Sequence, residues 1–366
     1  MQTEVLEPSP ENIKRAAEAL CADDIVGMPT ETVYGLAGNA FSTDAVAKIF
    51  LAKECPTFDP VIVHIEQKPS SEPSFIRHIE AQELIPSGIF SSVPSEKIET
   101  LCKNFWPGPL TLVLPKTDRV PDLVTSGLQT VAIRMPLHPV AQALIKKTGF
   151  PLAAPSANRF GRISPTTAQA VLKELDGRIS MILEGGPCSV GLESTVLRID
   201  PSGTVHLLRP GGIAIEKIEA IFGSAIARAT TPSSSSAQPS PGMLASHYAP
   251  IKPFKILPCS LDRLTPDQTQ TLSKEIAPHP GEVGLLLFSP NSDPAIASLA
   301  SKLGRKITTM SLCPSQKPEE AAKNLFQMMR KLDESIATVL ISEPCPWSEG
   351  LGYAIADRLT RANSKA

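Results

Sequence analysis

Clustered cysteines, long apolar runs and a charge bias are all missing from this 366-residue sequence. The seven cysteines include no CxxC pair and no histidine at zinc spacing, which disfavours structural zinc and fits reduced thiols in a cytoplasm. The longest apolar run, around 283–288, is far shorter than the ~20 residues that cross a membrane, and the acidic N-terminus does not look like an export signal. We therefore expect a cytoplasmic protein without a membrane partner.

Several sequence signatures of large enzyme classes are missing as well. The chain contains no Walker A loop, no GxGxxG fingerprint, no HExxH pair and no GxSxG elbow. Their absence disfavours P-loop phosphate chemistry and triad hydrolysis. A formal net charge of -2 and an aromatic content of 5% give no general reason to bind nucleic acid. Any basic site must therefore be local.

The length of the chain and one break in composition indicate two domains. A single core usually stops growing below this length. The stretch TTPSSSSAQPSPG at 230–242 has no charge and almost no apolar side chain, so it cannot repay the entropy of folding. We predict a catalytic domain at 1–228, a Ser/Pro-rich linker at 229–251 and a C-terminal α/β domain at 252–366.

Short apolar runs alternate with helical patterns in both predicted domains, which indicates an α/β fold. Strand-like runs lie at 25–28, 61–65, 110–114, 131–135, 254–257, 283–288, 307–312 and 339–342. Helical spacing predicts helices at 11–20, 44–53 and 318–334, with Ser42 or Thr43 as a cap for the second. The methionine-containing stripe of the third is expected to be core.

Polar residues interrupt several of these apolar segments. The segment PTETVYGL at 29–36 places hydroxyl groups at a strand exit, where open sheets bind ligands, although a capped turn would look the same. Lys53 could be a ligand or a favourable charge at a helix C-terminus, and His64 could be a ligand or a satisfied, half-buried residue. Arg134 lies within a strand-like run and needs an anionic partner, which is either internal or a ligand.

A second anion-binding pattern lies at 153–164, AAPSANRFGRIS. Its small residues let backbone amides approach a ligand, while its hydroxyl, amide and guanidinium groups suit phosphate. The segments GLESTV at 191–196 and LRPG at 208–211 each add one polar or cationic group to an apolar stretch. Together these segments indicate a site that holds several anions.

In this order, the segments resemble the YrdC-like family, and the stretch SPGMLASHYAP with a C-terminal α/β domain resembles its long, two-domain threonylcarbamoyl-AMP synthases. The resemblance covers nearly the whole chain and is carried by PTETVYGL, FWPGPLTLVL, AIRMP, APSANRFGRISPT, GLESTV, LRPG and GLGYAIADRLTRA. It implies a twisted, open, mixed-sheet YrdC-like domain followed by a smaller Rossmann-like α/β domain. The segment at 68–97 looks longer than usual and is expected to be a surface insertion.

The resemblance also implies which residues bind substrates. The threonine site would consist of Thr32, His64, Arg134, Ala154 and Ser194, with Arg134 on the amino-acid carboxylate. The ATP site would consist of Lys53, Cys55, Asp59, Thr130, Ser156, Asn158, Ser164, Arg209, His247 and Tyr248. The last two lie on the linker, which would act as a lid that excludes water from the product. No residue is assigned as an acid or base catalyst.

The implied reaction activates L-threonine with bicarbonate or CO2 and ATP, ahead of tRNA modification. The enzyme would align anionic reactants and offset their repulsion, with Mg²⁺ bound to ATP and no protein metal ligand identified. The product would pass to tRNA threonylcarbamoyl-transferase proteins, and weak or transient tRNA binding is compatible with this role.

Two positions depart from the family pattern. Cys55 stands where the family usually has arginine, and Asp59 stands where it usually has asparagine. Both changes make the surroundings of a bound triphosphate less positive. They leave open a degenerate sensor of threonine or nucleotide, and a non-catalytic RNA-binding module is a further alternative. Cys55 as a nucleophile is disfavoured because the reaction needs no covalent step.

Overall fold

The computed structural model describes residues 2–55, 59–90, 92–200, 202–228, 247–288 and 293–363. Most of the predicted linker at 229–251 lies outside these ranges. The chain divides into two compact units, of which the first comprises Met1–Phe160 and Ser164–Leu244. The second comprises Gly161–Ile163 and Ala245–Ala366. The short segment 161–163 thus groups with the C-terminal part of the chain rather than with its sequence neighbours.

Several helices of the first unit begin at a residue whose side chain caps them, namely Ser9, Ser42, Ser74, His138 and Thr167. The helices of this unit are α1 (Pro10–Cys21), α2 (Thr43–Lys53), α3 (Phe75–Ala81), α4 (Ser92–Phe105), α5 (Asp122–Thr125), α6 (Pro139–Thr148), α7 (Ala168–Leu175) and α8 (Ile215–Phe222). The Ser42 side chain accepts a hydrogen bond from the backbone N–H of Ala45, which confirms the predicted cap of α2. Both helices predicted in this part of the chain are confirmed.

The strands of the first unit form one mixed sheet. They are β1 (Glu4–Leu6), β2 (Val26–Met28), β3 (Gly35–Asn39), β4 (Ile62–His64), β5 (Leu110–Pro115), β6 (Thr130–Arg134), β7 (Leu152–Ala153), β8 (Met181–Leu183), β9 (Thr195–Ile199), β10 (Val205–Arg209) and β11 (Ala227–Arg228). Their order is β1-β8-β2-β3-β7-β4-β6-β5-β9-β10-β11. Strand β6 runs parallel to β4 and antiparallel to β5, so the predicted mixed sheet is confirmed.

Helices α1 and α6 contribute to a hydrophobic core with β2, β3, β7 and β8. Leu20 and Leu144 are fully buried there, and each such side chain stabilises the fold by roughly 1.5 to 3 kcal/mol. Ala154, a predicted site residue, belongs to the same core cluster. The segment that carries the site is therefore anchored by packing.

The segment at 68–97 contains α3 and the first residues of α4. The carboxylate of Glu99 in α4 accepts hydrogen bonds from the backbone N–H groups of Phe75 and Ile76, which satisfies the start of α3. Ile79 and Leu84 are fully buried. This segment therefore contributes buried side chains as well as surface.

The second unit contains a smaller, wholly parallel sheet. Its elements are β12 (Phe254–Ile256), a 3₁₀ turn (Leu261–Arg263), α9 (Pro266–Ile276), β13 (Glu282–Leu287), α10 (Asp293–Leu303), β14 (Ile307–Ser311), α11 (Pro318–Glu334), β15 (Ala337–Ser342) and α12 (Leu351–Asn363). The strand order is β12-β15-β13-β14. Leu325 and Met329 of α11 are buried, which confirms that the methionine-containing stripe is core. The predicted Rossmann-like arrangement is confirmed.

The segment 161–163 makes specific contacts inside the second unit. Arg162 and Ala249 form an isolated parallel bridge, in which the Ala249 N–H donates to the Gly161 carbonyl at 2.8 Å. The Arg330 guanidinium of α11 donates to the Ile163 carbonyl at 2.7 Å. These bonds explain why the segment groups with residues far from it in sequence.

Among the helices that the structure describes, none is both long enough and apolar enough to cross a membrane. None of the seven cysteines, all of which the structure describes, is part of a disulfide.

Candidate functional site

Three polar side chains lie on neighbouring strands in the middle of the large sheet. His64 on β4 is the register partner of Arg134 on β6, and Arg134 is the register partner of Thr111 on β5. Register partners project from the same face of a sheet, so these side chains form a row. None of the three is more than 3% exposed. Two of them, His64 and Arg134, were predicted from the sequence, and the structure brings them together.

The anionic partner of Arg134 is internal. Its Nη2 lies 2.6 Å from Oε1 of Glu31, and both side chains are buried. Its Nη1 donates to Oγ1 of Thr32 at 2.7 Å, and its Nε donates to the carbonyl of Gly108 at 3.2 Å. The second carboxylate oxygen of Glu31 accepts from the backbone N–H of Leu137 at 3.1 Å. The guanidinium is therefore fixed in place, next to Thr32, which was predicted to bind the substrate threonine.

His64 is a neutral imidazole in this setting. Burial, reinforced by the positive charge of Arg134, lowers the pKa of His64 to about 3. Among the described residues, its Nδ1 has no hydrogen-bond partner. A buried polar atom without a partner is costly, so the alternative of a fully satisfied histidine is disfavoured. One nitrogen of the imidazole is therefore left with unused hydrogen-bonding capacity.

The loop after β2 combines a closed turn with a close backbone approach. The hydroxyl of Thr30 donates to the carbonyl of Val33 at 2.6 Å, so the capped-turn interpretation is correct for this residue. At Gly35, an added Cβ would lie 3.1 Å from the Cβ of Ala154 and 3.5 Å from the Pro155 carbonyl oxygen. A side chain would therefore crowd the segment that carries Ala154, which accounts for glycine at this position.

Ser194 connects the row to Arg209. Its hydroxyl lies 2.7 Å from Oγ1 of Thr111 and accepts from Nη2 of Arg209 at 3.2 Å. The same Nη2 donates to the Ser194 carbonyl at 3.0 Å. An added Cβ at Gly211 would come within 2.4 Å of the Ser194 backbone. Ser194, predicted to bind threonine, and Arg209, predicted to bind ATP, are thus in direct contact.

Lys53 organises the AAPSAN loop from the end of α2. Its Nζ donates to the carbonyl of Asn158 at 2.6 Å and also to the carbonyl of Ser156. Burial lowers the pKa of Lys53 to about 8, although the neighbouring Cys55 and Asp59 oppose the shift. The lysine is therefore more than a favourable charge at a helix end, because it holds two other predicted ATP residues in place.

Cys55 follows Lys53 and is half-buried. Burial raises the pKa of its thiol to about 12, and the positive charge of Lys53 only partly offsets this effect. A thiol with this pKa is protonated at neutral pH, which argues against a nucleophilic role. Asp59 contributes to the pKa shifts of both Lys53 and Cys55 and so lies within the same electrostatic environment.

Ser164 has a buried carboxylate as its partner. Its hydroxyl donates to Oε1 of Glu193 at 2.5 Å, and both residues are buried. Thr130 opens β6, at the opposite end of that strand from Arg134, and is half-buried. The two lie four positions apart along the strand, which is about 13 Å. The structure therefore does not bring Thr130 into the central row.

His247 and Tyr248 pack within the second unit. Their rings lie 4.1 Å apart, and the Tyr248 ring stacks on Phe326 of α11 at 5.5 Å. The guanidinium of Arg358 lies 5.0 Å from the centre of the same ring. Both predicted ATP residues are therefore held firmly by helices of their own unit.

Sequence reasoning missed three side chains of the site, namely Glu31, Thr111 and Glu193. Each falls inside a motif that had been recognised, but none was assigned a role. One signal was available, since a buried arginine needs a nearby acid and Glu31 lies in the motif that also supplies Thr32. Nothing in the sequence indicated that Thr111 would meet Ser194.

Metal binding by the protein alone has no support in the part of the chain that the structure describes. No group of three or more His, Cys, Asp or Glu side chains there could hold a metal ion. Magnesium that arrives with a nucleotide needs fewer protein ligands, because it keeps several waters and binds the phosphates.

The fold and the site define a two-unit α/β protein in which buried hydroxyl and guanidinium groups lie together on a mixed sheet. The family model for Sua5, YciO and YrdC proteins, described as telomere recombination, matches residues 18–211. The model for the threonylcarbamoyl-AMP synthase C-terminal domain matches residues 213–364. The chain belongs to this family, in its two-domain form.

Curated relatives and solved structures agree with this assignment. A threonylcarbamoyl-AMP synthase of Bacillus subtilis is 40% identical, covering 98% of this chain and 95% of that protein. One of Pyrococcus abyssi is 36% identical, covering 96% and 94%. The crystal structure of P. abyssi Sua5 complexed with L-threonine superposes with a TM-score of 0.81 at 34% identity, covering 99% of this chain and 98% of that one.

Proposed function

We propose that this protein is an L-threonylcarbamoyladenylate synthase. It converts L-threonine, bicarbonate or CO2, and ATP into threonylcarbamoyl-AMP and pyrophosphate. The observation that carries the proposal is the direct contact between Ser194, which we assign to threonine, and Arg209, which we assign to ATP. The names of the relatives and the threonine complex of P. abyssi Sua5 support the same reading.

In this proposal, threonine lies over the row on the central strands. Arg134 donates to its carboxylate with hydrogens that Glu31 and Thr32 leave unused, and the neutral His64 contributes Nδ1. Ser194 supplies a hydroxyl, and Ala154 supplies a methyl group at the edge of the threonine site. Buried hydroxyl, imidazole and guanidinium groups of this kind suit a short amino acid with one hydroxyl.

ATP occupies the neighbouring loops. Arg209 and Lys53 supply positive charge, and the AAPSAN loop supplies backbone and side-chain donors for phosphate. The proposed nucleotide contacts are Lys53, Cys55, Asp59, Thr130, Ser156, Asn158, Ser164, Arg209, His247 and Tyr248. Magnesium accompanies the nucleotide and neutralises part of the triphosphate charge.

The chemistry follows from bringing two anions together. The amine of threonine takes up CO2 to form a carbamate, whose oxygen attacks the α-phosphorus of ATP while pyrophosphate leaves. Buried cations and hydroxyl donors lower the repulsion between the reactants and hold them in line. The product then passes to proteins that transfer the threonylcarbamoyl group to tRNA.

A threonine or nucleotide sensor is the second candidate. Asp59 and Cys55 surround Lys53 with an acid and a neutral thiol, where the family pattern has asparagine and arginine. Weaker nucleotide binding without turnover would fit that arrangement.

Mass spectrometry on purified protein with L-threonine, bicarbonate and Mg-ATP tests the proposal. Threonylcarbamoyl-AMP that requires all three substrates, with an equal amount of pyrophosphate, would support the synthase. Binding of threonine and ATP without product would favour the sensor. The Arg134→Ala variant should lose product, whereas Arg15→Ala, on the surface, should retain it.

A further inference from the structure

The hydroxyl of Thr30 is fully used inside its own loop. It donates its single hydrogen to the carbonyl of Val33 at 2.6 Å. Its oxygen accepts from the backbone N–H of Thr32 at 3.2 Å and lies 2.8 Å from Oγ1 of Thr32. A hydroxyl has one hydrogen and two lone pairs. Because the hydrogen of Thr30 is already donated, the hydroxyl of Thr32 must be the donor in the remaining contact.

This accounting fixes the direction of the Thr32 hydroxyl. Its hydrogen points at Thr30, and its oxygen accepts from Nη1 of Arg134 at 2.7 Å. The side chain of Thr32 is fully buried. The hydrogen bonds therefore run in one direction, from Arg134 through Thr32 and Thr30 to the carbonyl of Val33.

Three acceptors hold the guanidinium of Arg134, the first donor in this series of hydrogen bonds. Glu31 accepts a hydrogen bond from Nη2, Gly108 accepts one from Nε, and Thr32 accepts one from Nη1. Since a guanidinium carries five N–H donors, one hydrogen on each terminal nitrogen remains for a ligand. The orientation of these two hydrogens depends on the contacts that hold the rest of the group.

We infer that Thr30 is a positioning residue for amino-acid recognition. It acts through Thr32 on Arg134 and keeps the two remaining guanidinium hydrogens aimed at the amino-acid carboxylate. Without the oxygen of Thr30, the Thr32 hydroxyl is free to turn its hydrogen towards the guanidinium, where two donors repel each other. This inference rests on the proposed function, because it takes the bound amino acid to be threonine.

Substitution of Thr30 separates this role from simple packing. Thr30→Val keeps the shape and removes the hydroxyl, whereas Thr30→Ser keeps the hydroxyl. We expect Thr30→Val to bind L-threonine about 10-fold more weakly, as for loss of one hydrogen bond to a charged group, with ATP affinity changed by less than about 2-fold. Thr30→Ser should bind threonine as the wild type does.

Thr3 provides a matched control. Its hydroxyl donates to the Ile179 carbonyl at 2.7 Å and accepts from the Gly177 N–H at 3.0 Å, and it is buried away from the site. Thr3→Val therefore removes the same kinds of backbone contact. We expect it to lower the melting temperature without a change in threonine affinity.

Isothermal titration calorimetry on the full chain, with L-threonine and separately with ATP, measures these quantities, and a thermal melt follows each variant. Three results would overturn the inference: wild-type threonine affinity in Thr30→Val, equal loss of threonine and ATP binding in that variant, or failure of Thr30→Ser to restore affinity. Wild-type protein that binds no threonine would instead overturn the proposed function, and the inference with it.

Discussion

Arg209 and Ser194 are joined by three hydrogen bonds: Nη2 donates to the hydroxyl at 3.2 Å and to the carbonyl at 3.0 Å, and Nε donates to the carbonyl at 3.3 Å. In the proposed function, Arg209 contacts the nucleotide and Ser194 contacts the amino acid. The two sites therefore share a structural element, and a change in one of these residues should affect both substrates.

Arg209→Lys tests this coupling. A lysine ammonium cannot reproduce the planar fork in which Nε and Nη2 both donate to Ser194. We expect the KM values for ATP and for threonine to rise together by about 5- to 30-fold, as for loss of one or two charge-assisted hydrogen bonds. Steady-state pyrophosphate release measures both values. Arg15→Lys, at an exposed ion pair with Glu4, serves as the control. A rise confined to ATP would contradict the coupling.

Glu31→Gln tests the buried ion pair. Removing the carboxylate leaves the charge of Arg134 buried without its partner, and such changes cost roughly 3 to 5 kcal/mol in the free energy of unfolding. Chemical denaturation measures the loss. Glu4→Gln breaks an exposed arginine pair and should cost less than about 1 kcal/mol.

The same variant should respond more strongly to ligand. A bound threonine brings a carboxylate to the unpaired guanidinium, so threonine should raise the melting temperature of Glu31→Gln more than that of the wild type. An equal rise in both proteins would mean that the carboxylate binds elsewhere.

Lys53 should make nucleotide binding depend on pH. Burial lowers its pKa from 10.5 to about 8, so above pH 8 the folded protein loses this positive charge. We expect the KM for ATP to rise between about pH 7.5 and 9 in the wild type and to stay level in Lys53→Arg, because arginine keeps its charge. A parallel rise in both proteins would exclude Lys53 as the cause.

Lys53 should also affect folding stability, but in the opposite direction: stability should rise with pH where ATP binding weakens. Between about pH 8 and 10.5 the unfolded chain binds this proton and the folded chain does not. The contribution of Lys53 to the free energy of unfolding therefore increases with pH across that window, and its penalty is fully present below pH 8. Denaturation of the wild type and of Lys53→Met over this range should show the difference.

The double substitution Cys55→Arg with Asp59→Asn should strengthen nucleotide binding. It adds a cation and removes an anion beside the triphosphate, and each pair interaction contributes roughly 1 to 4 kcal/mol depending on screening. We expect the KM for ATP to fall by at least about 5-fold. Cys21→Arg with Asp23→Asn makes the same charge change at the end of α1 and should have no effect. An unchanged or raised KM would show that these positions do not weaken the site.

Local pattern was sufficient to predict some elements of the fold, among them all four strands of the second unit. The helix at 318–334 and the strand-like run at 110–114 appear as α11 and β5, because periodicity and apolar runs are properties of neighbouring residues. The mixed sheet and the Rossmann-like second unit followed from the family resemblance. The order of strands did not follow from local pattern, because it depends on pairing between distant segments.

The site shows the same contrast between what local pattern predicts and what depends on contacts between distant segments. Sequence reasoning selected Arg134 and His64, yet it could not choose between an internal partner and a ligand for the arginine. The partner, Glu31, is 103 positions away, and only the folded sheet brings the two together. The contact between Thr111 and Ser194 likewise depends on β5 and β9 being neighbours.

The grouping of residues 161–163 with the second unit has a consequence for biosynthesis. Domains generally fold in order as the ribosome delivers them, N-terminal part first. The acceptors at Gly161 and Ile163 are synthesised well before their donors, Ala249 and Arg330. During translation, residues 161–163 therefore have no hydrogen-bond donors from the second unit until much later. A fragment that starts after the linker would lack these two acceptors.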